Sequence, residues 1–348
     1  MAMLKHSFGS DNHSGVHPLI MKAIEDINHD FNLAYGEDSY TEGVLKNLEN
    51  LLGGNCKALF VFNGTGANAV ALSTFCKTYN SILAPRTAHI LVDECGAVEK
   101  LSGCKIVPLN CKDGKVTPKD VEAELEFGDQ HHTQPAILSI SEPTELGTLY
   151  TAAEIKALAD LMHKHGCYLH VDGSRIANAA AALKMPIKKF VADTGADVLS
   201  FGGTKNGLLV GEAVVVLNAK KNKIFADSLM YYRKQATQLY SKNRFIAAQF
   251  EAYLNDDLYL KMAGHSNAMA KYLEKRVKEV KCVKISKKVQ SNAVFAILPV
   301  AVSTKLEKKH FFHVWDKATN EVRWMCAFNT QKSDIDAFVE DLKKAATK

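Results

Sequence analysis

Eight cysteines stand in the sequence without a single C-x-x-C pair, and no apolar run approaches membrane-spanning length. Cys56, Cys76, Cys95, Cys104, Cys111, Cys167, Cys282 and Cys326 include several inside apolar segments such as LVDECGA and EVRWMCAF. They read as buried free thiols in a reducing cytoplasm. The opening MAMLKHSFGSDN has no apolar core long enough for a signal peptide, so the expected location is cytoplasmic and the protein soluble, with no membrane partner. A dense basic cluster is also missing. The formal net charge of +5 is spread along the chain, and Lys220 to Lys223 and Lys284 to Lys288 each adjoin an apolar run. Solvated helix ends or loops explain them, and no nucleic-acid partner is expected. There is no internal repeat and no low-complexity segment. His6, His13 and His17 cluster near the start and His131-His132 sit in a polar stretch, but none has the third ligand at defined spacing that a metal requires, so no metal is expected.

What is present is a long chain of ordinary globular composition: 348 residues, 47% apolar and 23% charged. That length fits one large domain plus a smaller one. Short β-rich runs are ALFVF (58–62), CKIVPL (104–109), AILSIS (136–141), YLHVD (168–172), DVLSF (197–201) and LLVGEAVVVL (208–217). Between several of them lie segments of helical spacing: GANAVALSTFCKTY, TPKDVEAELEF and TAAEIKALADLMHKHG. The last opens on Thr151 with Glu154 three residues on, a capping box, and closes on Gly166. Alternating strands and helices predict an α/β fold with a mainly parallel, buried sheet. After Leu239 long helical stretches (243–255, 263–280) lead into NAVFAILP, FFHVW, VRWMCAF and a last helix over 333–344, a smaller α+β unit. The expected division is 1–245, with an N-terminal arm over 1–17, and 246–348. The stretch 128–135 is expected to be loose.

Ligands of open α/β sheets bind beyond the carboxyl ends of the strands, and three segments carry polar groups there. FVFNGTGAN passes from a strand through Asn63-Gly64-Thr65-Gly66 into a helix, where free N–H groups suit a phosphate. It lacks the Lys-Ser/Thr ending of a nucleotide loop and the spacing of a dinucleotide fingerprint, and a plain structural turn is the alternative. LHVDGSR ends a strand on Asp172, placed to keep a pyridinium nitrogen protonated. Alternatively, Asp172 caps the following helix and pairs with Arg175. DVLSFGGTKNG sets Lys205 past a strand among small residues, where desolvation would free its amine to attack an aldehyde. Taken singly, it is a surface lysine in a glycine-rich loop. Tyr168 and His170, two apart on the strand before Asp172, read as core.

At these residues the sequence resembles the threonine aldolases, the β-eliminating-lyase branch of the fold-type-I, aspartate-aminotransferase-like pyridoxal-phosphate enzymes. The resemblance runs through GSDNHSGVHP, AYGEDSYT, FNGTGANAVAL, TAHILVDECGA, SEPTELGT, LHVDGSR, SFGGTKNG, RKQATQLYSKNRF and EVRWMCAFNT, nearly the whole chain. It implies that Lys205 holds pyridoxal 5'-phosphate as a Schiff base and that Asp172 pairs with the ring nitrogen. Gly64 and Thr65 would contact the phosphate, and His89 would stack on the ring near the substrate hydroxyl. Arg175 and Arg323, with Ser10, would bind the substrate carboxylate, since a planar guanidinium fits it bidentately. Arg233, Lys234 and Lys242 lie in the segment that reaches a neighbouring subunit's cofactor phosphate. Tyr35, with Glu37 and Asp38, would line the mouth, and His13 follows closely on Ser10.

Two departures from the family pattern stand out. The loop after AILSIS carries Glu145 where the best-known members have a second histidine, which leaves the preferred side chain and the Cβ stereochemistry open. Ala236 to Leu239 replace a common triple-glycine stretch, which loosens the choice of trans phosphate ligands. The implied reaction is retro-aldol cleavage of a β-hydroxy-α-amino acid to glycine and an aldehyde, with His89 the first candidate base and Glu145 the second. Alternatives are a phenylserine-preferring aldolase, β-elimination on another amino acid, or, from another class, a silent binding scaffold. The implied assembly is a homo-oligomer, a dimer at least and a tetramer by family habit.

Overall fold

β-Branched runs bounded by turn residues pair into sheets. The computed structural model describes residues 7–347, so His6 lies outside the described residues. Seven strands form one sheet: β1 (Cys56–Val61), β2 (Asn80–Pro85), β3 (Lys105–Leu109), β4 (Gln134–Ser141), β5 (Tyr168–Gly173), β6 (Val198–Phe201) and β7 (Glu212–Leu217), in the order β1-β7-β6-β5-β4-β2-β3. Only β7 runs against its neighbours; β6, β5, β4, β2 and β3 are mutually parallel. Alternate residues enter different cores. Ala213, Val215 and Leu217 belong to one apolar cluster, while Val214 and Val216 belong to another. The sheet is thus covered on both faces, as period-two side chains of a buried sheet require.

β2 escapes a reading by periodicity, because NSILAP is short, mixes polar residues with a terminal proline and shows no alternation. The expected capping box is present: Thr151 Oγ accepts from Glu154 N, and a Glu154 carboxylate oxygen accepts the Thr151 N–H at 2.7 Å. Gly166 adopts the left-handed φ of 69° beyond that helix. The helix expected over TPKDVEAELEF is shorter, Pro118–Glu122, and no helix or strand spans 128–133.

A second sheet, β10-β11-β9-β8, is antiparallel throughout: β8 (Lys284–Ile285), β9 (Ala293–Ile297), β10 (His313–Asp316) and β11 (Glu321–Met325). Trp324, Phe338 and Phe8 fill its core. Phe8 stitches the N-terminal segment to this sheet, since Met325 N donates to Phe8 O at 2.8 Å and Phe8 N donates to Phe311 O at 3.0 Å. The expected boundary after 245 falls within helix Arg244–Leu254, whose Ile246, Ala247 and Phe250 still belong to the first core; the second core takes over at Met269, within helix Leu258–Val277. Among the described residues, no helix is long and apolar enough to cross a membrane. All eight cysteines are free, and of these Cys95 is exposed.

Candidate active site

The loops leaving β1, β2, β4, β5 and β6 open on one sheet edge, and β7, being antiparallel, brings its first residue to the same edge. Two cavities lie there. One, of about 390 Å³, is lined by Gly64, Thr65, Ser174 and Glu212; the other, of about 630 Å³, by Ser10, Glu145, Arg175 and Arg323. His89 and Lys205 line both.

Helix Gly64–Phe75 starts directly after β1. The Asn63 side chain caps it by accepting from Gly66 N at 2.7 Å, so the N–H groups of its first residues face the smaller cavity. Any Cβ on Gly66 would overlap the Gln238 side chain, which reaches in to accept the Phe62 N–H at 3.0 Å. On the opposite wall, the turns after β5 and β6 are held together: Gly202 N donates to Gly173 O at 3.0 Å, and a Cβ on Gly202 would lie 2.7 Å from Ser174 Cα. That approach is what sets Asp172 and Lys205 into one site.

Asp172 does not cap the helix that follows; Ile176–Leu183 has no side-chain cap. Its carboxylate instead accepts from Ser174 Oγ at 2.6 Å, Ser174 N at 3.0 Å and Asn68 Nδ2 at 2.9 Å. Burial works upward on this carboxyl, but Ser174, Lys205 and Asn68 hold it below the ordinary range. Lys205 is no surface lysine. Burial, then Arg175, press its amine below the usual lysine range, and among the described residues it has no hydrogen-bond or ion-pair partner. His170, behind Asp172, is satisfied in the core by Ser139 at 2.8 Å and Ser200 at 2.9 Å.

His89 opens the short helix His89–Val92 beyond β2. Its Nδ1 lies 2.8 Å from Glu94 Oε1, an oxygen that also accepts from Asn68 Nδ2 at 2.9 Å. Asn68 therefore bridges the carboxylate behind His89 and the carboxylate of Asp172. The Glu94 hydrogen bond raises the His89 pKa, outweighing burial and the Lys205 charge. Glu145 Oε1 accepts the His89 N–H at 2.9 Å and the Ser141 hydroxyl at 2.6 Å, and burial pushes its carboxyl up.

Arg175 does not pair with Asp172 either. Its Nε and Nη2 grip Asp11 at 2.6 and 2.9 Å, and Asn292 Nδ2 donates to the same carboxylate at 3.1 Å. Arg323 comes from β11, with Nη2 on Gly9 O at 3.2 Å, its guanidinium over the Trp315 ring at 4.8 Å, and a buried Nε without a partner. Burial, with Arg175 nearby, pulls it down to about 10. Two guanidiniums facing one cavity, one with an unmet donor, suit a carboxylate.

His13, Tyr35, Glu37, Asp38, Arg233, Lys234 and Lys242 line neither cavity. Tyr35 is exposed with Lys234 over its ring at 5.3 Å, and Arg233 is buried in its own chain, donating to Phe60 O at 3.3 Å. His13 bonds Ser7 at 2.7 Å rather than lining the site. Residues not foreseen are Asp11, Asn68, Glu94, Ser174 and Glu212. Asn68 could have been noticed as a large polar side chain in the otherwise small and apolar GTGANAVAL, and Glu94 as an acid one turn beyond His89.

The beta-eliminating lyase family model matches residues 7–299. The chain belongs to that family. Two relatives are 36% and 35% identical over 338 residues, each alignment spanning 97% of this chain and 96% of the relative: the low-specificity L-threonine aldolases of a Pseudomonas species and of Pseudomonas aeruginosa. The structure of a threonine aldolase from Leishmania major superposes with a TM-score of 0.91 at 28% identity, covering 98% of this chain and 100% of that one. Beta-eliminating lyases of this kind depend on pyridoxal phosphate, and the seven-stranded sheet with its small antiparallel companion is their fold-type-I architecture.

Proposed function

We propose that this beta-eliminating lyase family member is a pyridoxal-phosphate-dependent aldehyde-lyase cleaving L-threonine, L-allo-threonine and related β-hydroxy-α-amino acids to glycine and an aldehyde. One observation carries the reading. The enclosed, unpartnered amine of Lys205 lies where an anion-receiving turn and two guanidiniums meet. The donor set fits the cofactor: Lys205 would hold its aldehyde, Asp172 its ring nitrogen, and Gly64 and Thr65 its phosphate, with His89 beside the ring. Bound there, the cofactor supplies a protonated ring that draws off the electron pair released at the substrate α-carbon.

The protein's part is positioning and proton transfer. Arg323 and Arg175, with Ser10, would clamp the substrate carboxylate and so fix the orientation of the Cα–Cβ bond. Asp11 holds Arg175 in place. Glu94 accepts a hydrogen bond from the Nδ1–H of His89, leaving Nε2 to take the β-hydroxyl proton as the aldehyde departs, help worth about 10²–10⁴-fold in rate. Glu145, raised in pKa by burial, fixes the His89 backbone and is the second candidate base. Trp315, Val314 and Val92 line the 630 Å³ cavity, which leaves room for β-substituents larger than methyl, aryl groups included.

The working unit is proposed to be a cytoplasmic homo-oligomer, a dimer at least and a tetramer in full. Phe31 is fully exposed and Leu33 66% exposed, apolar surface that a second copy would cover. Of the residues expected to reach a neighbour's phosphate, the exposed Lys234 and Lys242 are freer to do so than buried Arg233. The chain is further proposed to divide into a cofactor-holding unit and a smaller C-terminal one. Glycine release across a panel of β-hydroxy amino acids, with wild type and Lys205→Ala, tests the function. Keto acid and ammonia in place of glycine and aldehyde would replace it with β-elimination.

A further inference from the structure

Glu212 is a buried carboxyl that the reaction above leaves unused. It is the first residue of β7, pairing with Val61 of β1, one step before the turn that leads to Gly64. On the other side of β7, β6 ends at Phe201 and leads to Lys205. The antiparallel direction of β7 is what delivers an acid to this edge. Glu212 Oε2 accepts the Gly203 N–H at 2.6 Å, and Thr204 also donates to the carboxylate. Both donors lie directly ahead of Lys205. The residue is 5% exposed and lines the same cavity as Gly64, Thr65 and Lys205.

A hydroxyl or amide could accept the Gly203 N–H without the cost of burying a carboxyl. Burial pushes Glu212 up to about 7, against the pull of its Thr204 and Gly203 hydrogen bonds and of Lys205. Its charge therefore changes across the neutral range, beside the amine. The other charged groups acting on Lys205 are Arg175, Asp11 and Asp172, and His89 senses it in turn. Asp11 is tied to Arg175 and Asp172 to Ser174 and Asn68. Tyr253 faces Glu212 and, held neutral by burial, adds no charge.

We propose that Glu212 is a positioning residue for Lys205: it clamps the turn that presents the amine, and when ionised it keeps a proton on the lysine nitrogen of the cofactor-loaded enzyme. The inference rests on the reading of Lys205 as the cofactor-bearing residue. Glu212→Gln and Glu212→Ser both keep an acceptor and lose the charge. The experiment titrates the visible absorbance of the full-length, cofactor-loaded enzyme against pH. In both variants the midpoint should fall by about half a unit or more, the direction expected when a nearby opposite charge is removed. The shorter serine should also lose cofactor faster on dialysis than glutamine does. Superimposable titrations of wild type and Glu212→Gln, or melting losses in both variants with an unmoved midpoint, would overturn the proposal. Lys205→Ala separates the two readings: if it keeps the wild-type band and titration, the lysine reading itself is wrong and the role of Glu212 goes with it.

Discussion

Asn68 places one amide nitrogen 2.9 Å from Glu94 and 2.9 Å from Asp172, so a buried carboxylate beyond the His89 helix and another near the end of β5 share a single donor. One of them backs the imidazole of His89, and the other is the carboxylate proposed to meet the cofactor ring nitrogen. His89, Glu94 and Asp172 are thereby fixed as one unit rather than as independent contacts. Such networks couple, so removing one member is felt at the others.

Glu94→Gln tests that unit through pH. Glu94 raises the His89 pKa, and a base must be neutral to act, so the acid limb of kcat/KM should lie above the ordinary histidine range in the wild type. Glutamine can still accept from Nδ1 but carries no charge, so the limb should move to lower pH. The sign for stability follows from the raised folded-state value: the contact stabilises most below the unfolded histidine pKa and fades as pH rises through the folded one. The stability lost by Glu94→Gln should thus be larger at acid pH, which urea melts at two pH values would show.

Asp11→Ala leaves the Arg175 guanidinium buried without its anion. Breaking a buried pair from one side costs about 3–5 kcal/mol, and both members here are well enclosed. Urea unfolding should show a loss of that order, and Asp11→Asn a smaller one. Arg175, with Asn292, holds the Asp11 carboxyl low against burial, so this contribution is present above the unfolded carboxylate pKa and is lost as pH falls through the folded value.

Strand-end residues were legible because strand, turn and chemistry are contiguous in the chain; LHVDGSR and SFGGTKNG each carry Asp172 or Lys205 within a few residues of a β run. What escaped is held by partners distant in sequence. Asp11 and Arg175 are 164 residues apart, and Asn68 and Asp172 are 104 apart. No local pattern records such a contact, and the plainer readings of Asp172 as a cap and of Arg175 as its partner were locally just as consistent. β2 was missed for a related reason. Its place between β3 and β4 is decided by burial on both faces, which NSILAP does not announce.

Arg323→Lys should raise KM for β-hydroxy amino acids with a smaller change in kcat. Lysine keeps the charge but not the planar fork, and it cannot rest over Trp315 in the same way. A charge-assisted hydrogen bond contributes about 1.5–3 kcal/mol, which corresponds to about a ten- to hundredfold rise in KM. Initial rates on threonine would measure it. An unchanged KM would place the carboxylate elsewhere, with Arg175 the remaining guanidinium.

Gly202→Ala tests the packing that creates the site rather than a functional group. The added methyl would fall on the Ser174 backbone, and the Gly202 N–H to Gly173 O bond leaves that backbone little room to retreat. Overpacking of this kind costs about 1–3 kcal/mol in stability. Relief can come only by parting the turns after β5 and β6, which moves Lys205 away from Asp172. Cofactor retention should therefore fall more steeply than stability does. The measurement is a pair of readings on one preparation, the urea midpoint and the visible cofactor band after dialysis. A variant that loses stability yet keeps the full band would show that Lys205 and Asp172 tolerate the separation, and that their spacing is set elsewhere.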